Sequence, residues 1–225
     1  MPLRWIVLAT FMSSLILGTR AAGEPHTPDK FEPEIRKFEV VDKRTPPAVG
    51  AVLFTGSSSI RLWTNLTADF PGRTVLNRGF GGSHMSDLLH FFDRVVLPYH
   101  PPLIVVYEGD NDLESGKTVD AVLADFGTFL RRVRERLPDT SVALLAVKPS
   151  PARRRLLAEQ RDLNRRLRDL AATEPRTSFI DTATPLLAPD GSMRPELYQE
   201  DGLHLNTDGY AVWRKAVTDA WPRRP

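Results

Sequence analysis

Three consecutive serines, Ser57, Ser58 and Ser59, follow Gly56 at the end of an apolar run, and an Asp-x-x-His pair, Asp201 and His204, stands near the other end of the chain. A serine hydroxyl becomes an effective nucleophile when a neighbouring base takes its proton, and histidine commonly supplies that base. A carboxylate bonded to the imidazole holds its tautomer and stabilises its charged form. Asp and His three apart on a turn can meet through space, so these residue types permit acyl transfer through serine. They also permit blander uses, because serines cap helix starts and Asp-x-x-His can simply open a helix. Neighbouring side chains at a strand end point in opposite directions, so only one of Ser57 and Ser58 is expected to face His204.

Two other loops carry suitable chemistry. Asn77-Arg78-Gly79-Phe80-Gly81-Gly82-Ser83-His84 is rich in glycine, which lets a backbone amide approach a ligand closely or merely forms a tight turn. Glu108-Gly109-Asp110-Asn111-Asp112 crowds polar groups after the most apolar run of the chain. Gly116-Lys117-Thr118 does not complete a phosphate loop, which would need glycine where Asn111 stands. A calcium loop fails as well, since its sixth and twelfth positions would be Ser115 and Ala121.

The elements that must position these loops alternate. Ala51–Thr55, Thr74–Asn77, Leu103–Tyr107, Val142–Val147 and Ser178–Asp181 are short apolar runs rich in β-branched or aromatic residues. Helical patterns lie between and after them, over 84–97, 118–136, 153–172 and 207–219. Leu103-Ile104-Val105-Val106-Tyr107 reads as a central parallel strand buried on both faces. Strand–helix alternation of this kind predicts right-handed crossovers, and hence a three-layer α/β/α sandwich around a five-stranded parallel sheet of flavodoxin-like type. In such sheets sites form at the carboxyl ends of the strands, where three of these loops fall, while Asp201 and His204 lie in the last loop before the 207–219 helix. Upstream, Phe31, Ile35 and Phe38 share one face of a short helix that must pack on the domain, and Pro46-Pro47 ends it. Residues 23–49 read as a linker, polar over 23–30, followed by that helix; 50–222 form the domain proper.

The first 22 residues read as a secretory signal peptide. Arg4 precedes an apolar stretch from Trp5 to Leu17, and the small residues Thr19 and Ala21 suit a cleavage site. The stretch is short for a transmembrane anchor, so the mature chain is expected to be exported, secreted or periplasmic, without a stable membrane span. Of the 30 basic residues, Arg4 and Arg20 belong to this leader, and the remaining 28 equal the 28 acidic ones. A near-neutral domain gives no case for nucleic-acid binding. The absence of cysteine excludes disulfides, thiol nucleophiles and Cys-ligated zinc.

Taken together, Gly56-Ser57-Ser58, Gly82, Asn111 and Asp201-x-x-His204 resemble the SGNH, or GDSL-like, hydrolase superfamily over roughly residues 50–220. The resemblance implies a carboxylic ester hydrolase with Ser58 as nucleophile, His204 as base and Asp201 as its orienting partner. It further implies an oxyanion hole from the Ser58 and Gly82 amides and the Asn111 side chain, with no metal or cofactor. Ser57 and Ser59 depart from the family's Gly-Asp-Ser block, where an Asp and a hydrophobic residue flank the serine. No Gly-x-Ser-x-Gly occurs, against an α/β-hydrolase. His84, Tyr107, Lys148 and Arg153 lie beside strand exits and are candidate substrate-binding walls. The expected substrates are small-molecule or carbohydrate esters with short or acetyl acyl groups. A thioesterase, a lysophospholipase and a non-catalytic carbohydrate-binding member are the alternatives.

Overall fold

A computed structural model describes residues 26–221. The expected signal peptide, 1–22, lies outside the described residues. Helix α1 (Glu32–Arg44) comes first, and Phe31 and Ile35 beside it are buried on the domain, with the Phe31 ring edge-on to Phe80 at 5.2 Å between centroids. The segment expected to be a polar linker is docked from His26 onward. The His26 imidazole stacks on His84 at 3.6 Å, and its Nε2 stands 2.6 Å from Asp87 Oδ2. Polar composition conceals such specific contacts.

Strand β1 (Val52–Gly56) leads into two single-turn helices, α2 (Ser58–Arg61) and α3 (Leu66–Asp69), and then β2 (Val75–Gly79). The helical pattern over 84–97 folds as α4 (Met85–His90), α5 (Phe92–Val95) and a 3-10 turn, Leu97–Tyr99. Pro98 has no amide to continue a helix and restrains the residue before it. Next come β3 (Leu103–Tyr107), α6 (Asp110–Glu114), α7 (Val119–Arg136) and β4 (Ser141–Leu145). Thr118 caps α7 by accepting from the Ala121 amide at 3.2 Å. A kinked 3-10 segment, Pro151–Leu156, precedes α8 (Leu157–Thr173), and β5 (Thr177–Ile180) and α9 (Thr207–Asp219) follow.

All five strands are parallel in the order β2-β1-β3-β4-β5. The two-residue period of the strands divides the interior into two cores. Leu53, Ile104, Val106, Val142 and Leu144 face α1, α4, α5, α7 and α8. Phe54, Val105, Tyr107, Ala143 and Leu145 face α2, α3 and α9, where Trp63 and Trp213 are buried. This is the expected three-layer sandwich. The chain leaves β1 in one direction for β2 and then crosses to β3 on the other side. The connections therefore diverge above β1, the switch point at which such sheets open a crevice.

Candidate active site

Strand β1 must end in glycine. Gly56 has φ +121°, and a Cβ there would lie 2.0 Å from the Tyr107 carbonyl oxygen of β3. The close approach lets the Ser57 amide donate to that same oxygen at 3.1 Å, while the Ser57 carbonyl accepts from Ile60 and Arg61 and closes α2. The turn sorts the three serines. Ser57 and Ser59 are each 2% exposed, whereas Ser58 is only half-buried. Ser58 Oγ lies 3.0 Å from His204 Nε2. Since α2 is a single turn, any electrostatic help at Ser58 comes from local amides rather than from a long helix dipole.

The opposite partner sits on a strapped loop. Tyr198 and Leu205 form an isolated antiparallel bridge, Gln199 N donates to the His204 carbonyl at 2.7 Å, and Ala152 N donates to the Gly202 carbonyl at 3.0 Å. Within it Asp201 Oδ2 lies 2.5 Å from His204 Nδ1, and Oδ1 accepts from the Leu203 and His204 amides at 2.8 and 2.9 Å. Partial burial alone would raise the Asp201 carboxyl. The bonds from the His204 ring and the two amides outweigh that and lower it to about 2. A carboxylate ionised at all ordinary pH thus holds the imidazole with Nε2 toward Ser58.

Gly82 and Asn111 lie at the exits of β2 and β3. Gly82 has φ +83° with nothing within 4 Å of where a Cβ would stand, so conformation rather than crowding calls for glycine. Asn111 Nδ2 donates to the Ser83 carbonyl at 2.9 Å, and its Oδ1 accepts from Arg153 Nη2 at 2.9 Å. Ser83 Oγ is 2.9 Å from the Phe80 carbonyl and 2.6 Å from Glu108 Oε1. One hydroxyl hydrogen cannot serve both. Burial and the neighbouring Asp112 push the fully buried Glu108 carboxyl well above its usual range, which favours the protonated form and lets that form donate to Ser83 while Ser83 donates to Phe80.

The sequence matches the GDSL-like Lipase/Acylhydrolase family over residues 49–212. The chain belongs to this family. It is therefore an ester hydrolase in the family's general sense. No curated protein matches it. Among solved structures, a GDSL-like lipase from Bacteroides thetaiotaomicron is 21% identical with TM-score 0.71, covering 83% of this chain and 96% of that one. A protein from Streptococcus pneumonia described as a platelet activating factor is also 21% identical, with TM-score 0.75 over 84% and 92% of the two chains. An acetylxylan esterase from Geobacillus stearothermophilus superposes with TM-score 0.62 at 16% identity, over 79% and 99%. At such identities these likenesses speak for the shared sandwich.

In this GDSL-like acylhydrolase the residues expected as substrate walls stand behind the site. Tyr107 is wholly buried, Lys148 is 1% exposed and His84 is 4% exposed. Burial is the largest influence on His84 and lowers its imidazole to about 3, leaving it neutral. Lys148 Nζ reaches Asp110 Oδ2 at 3.3 Å instead of solvent. Arg153 is nearly buried and pairs through Nη1 with Asp110 Oδ2 at 2.8 Å, and Gln160 Nε2 donates to Asp110 Oδ1 at 3.1 Å. A strand-exit position was the only sequence signal for Lys148 and Arg153, and it does not reveal an acidic partner some forty residues away. Asp110 and Gln160 carried no separate signal.

Proposed function

We propose that this chain hydrolyses carboxylic esters through an acyl-enzyme formed on Ser58. The relay Ser58 Oγ to His204 Nε2 at 3.0 Å, continued from His204 Nδ1 to Asp201 Oδ2 at 2.5 Å, carries the proposal. His204 takes the hydroxyl proton as Ser58 attacks the ester carbonyl. It returns that proton to the leaving alcohol, and then activates water to release the acid. The Ser58 and Gly82 amides and the free hydrogen of Asn111 Nδ2 stabilise the tetrahedral oxyanion. Side-chain exposures of 21% for His204 and 45% for Asp201 describe an open-faced site. That openness supports short acyl or acetyl groups carried on a bulky alcohol such as a carbohydrate. The apolar leader further supports export of the mature chain, which N-terminal sequencing of the protein recovered outside the cytoplasm tests.

The decisive assay uses p-nitrophenyl acetate, butyrate and octanoate with the wild type, Ser58→Ala and Ser57→Ala. Only Ser58→Ala should abolish turnover, and acetate should be the best substrate. Turnover surviving in Ser58→Ala would sink the mechanism; a preference for octanoate would sink the short-chain reading alone.

A further inference from the structure

We propose that Arg153 is a positioning residue for the oxyanion hole: it holds the Asn111 side-chain amide in the one orientation that presents its N–H to the reacting carbonyl. The inference rests on the acyl-transfer reading of the site.

A terminal amide can sit in its pocket either way round, and one orientation would turn the carbonyl oxygen of Asn111 toward a developing negative charge. The neighbours of Asn111 decide between the two. Arg153 Nη2 is a donor without acceptor capacity and stands 2.9 Å from Asn111 Oδ1; the Ser83 carbonyl is an acceptor and stands 2.9 Å from Nδ2. Flipping the amide would set donor against donor and acceptor against acceptor. In the observed orientation one Nδ2 hydrogen is held by Ser83 and the other remains for the substrate. A cation on Oδ1 also draws electron density out of the amide and strengthens its N–H as a donor.

The guanidinium is itself fixed. Nη1 pairs with Asp110 Oδ2 at 2.8 Å, Nη2 with Asn111, and Nε faces Glu114 Oε2 at 3.6 Å, so each of its nitrogens faces a group of the protein itself. Asp110 in turn is held by Lys148 and Gln160. Burial alone would raise the Asp110 carboxyl, but the Lys148 and Arg153 cations outweigh it and keep it ionised. Arg153 departs from helical geometry, with φ −117° and ψ 28° inside the turn Pro151–Leu156, and the kink brings its side chain from the β4 exit to the β3 exit. The two-pronged fork is what the arrangement uses: one prong for Asp110, the other for Asn111.

The test is steady-state kinetics on p-nitrophenyl acetate for the wild type, Arg153→Met, Arg153→Lys, Asn111→Ala and the double variant Arg153→Met/Asn111→Ala, with Ser58→Ala as the blank. Losing an oxyanion donor outright costs ~10²–10³ in kcat, so Arg153→Met should lose about 10- to 100-fold, with KM within about threefold of the wild type. Arg153→Lys keeps the charge beside Asp110 but not the second prong, and should recover little of that loss. In the Asn111→Ala background the Arg153→Met change should cost less than about threefold, because the donor it serves is already gone. A raised KM with kcat intact would make Arg153 a substrate contact and overturn the proposal. So would losses that multiply fully in the double variant, or full activity in Arg153→Lys. If Arg153→Met does not fold, the Arg153→Lys kinetics decide alone. An inactive wild type, or an active Ser58→Ala, would instead overturn the acyl-transfer reading.

Discussion

The Tyr210 hydroxyl of α9 donates to the Ser59 carbonyl at 2.9 Å, across 151 positions of sequence. The last helix is thus bonded to the turn that carries Ser58. The same helix begins at Thr207, three residues after His204, and the Asn206 side chain caps it by accepting from the Gly209 amide at 3.1 Å. One rigid element therefore spans both partners and fixes their separation.

Asn111→Ala should lower kcat by ~10²–10³ while leaving KM near the wild-type value, as expected for a donor that acts mainly in the transition state. Kinetics on p-nitrophenyl acetate, with a matched thermal melt to show that the fold is kept, check this.

Asp201→Asn should cut kcat by roughly 10³–10⁴, since the amide no longer selects the His204 tautomer. Its effect on stability has a defined pH window. The Asp201 carboxyl is lowered to about 2 in the folded chain against an ordinary value of ~3.9. Its ionisation therefore stabilises the fold above about pH 4, and that contribution fades as the pH falls toward 2. Urea midpoints of wild type and variant should differ at neutral pH and converge across that acid range.

Glu108 works in the opposite sense. Its carboxyl is raised in the folded state, so the folded chain holds a proton that the unfolded chain gives up above the ordinary carboxylate range of ~4.3. That proton costs stability progressively as the pH rises. Glu108→Gln keeps a donor toward Ser83 without needing the proton. The variant should resist urea better than wild type at pH 8 and no better at pH 4.

Gly56→Ala should be severely destabilising, because φ +121° is strained for alanine and the new Cβ meets a backbone oxygen at 2.0 Å. A loss of about 3 kcal/mol or more is expected, which for a chain of this size lowers Tm by at least ~6 °C. Differential scanning calorimetry would record it.

Much of this fold was legible because its signals are local. Leu103–Tyr107 and the last helix, 207–219, coincide with the observed β3 and α9. A continuous apolar run and a helical repeat both announce themselves within a few residues. The helix expected over 153–172 begins properly only at Leu157, since the kink at Arg153 answers to Asp110 and Asn111 rather than to its own neighbours. The same reason hid the role of Lys148. A lysine after a strand looks like a solvated charge until the fold brings Asp110 against it. Ser58 was ambiguous against Ser57 for the opposite reason, as three identical residues can be told apart only by the backbone that turns one of them outward. His26 lay within a stretch whose polarity pointed only to a linker.

The 146 positions between Ser58 and His204 have a consequence for biosynthesis. Translation delivers the hydroxyl well before the imidazole. A ribosome-bound chain, or one cut short by a premature stop before the Asp201–His204 loop, holds Ser58 without the imidazole that takes its proton in the proposed mechanism. Under the proposed mechanism, hydrolysis by the growing chain must wait until α9 has closed over the turn that carries Ser58.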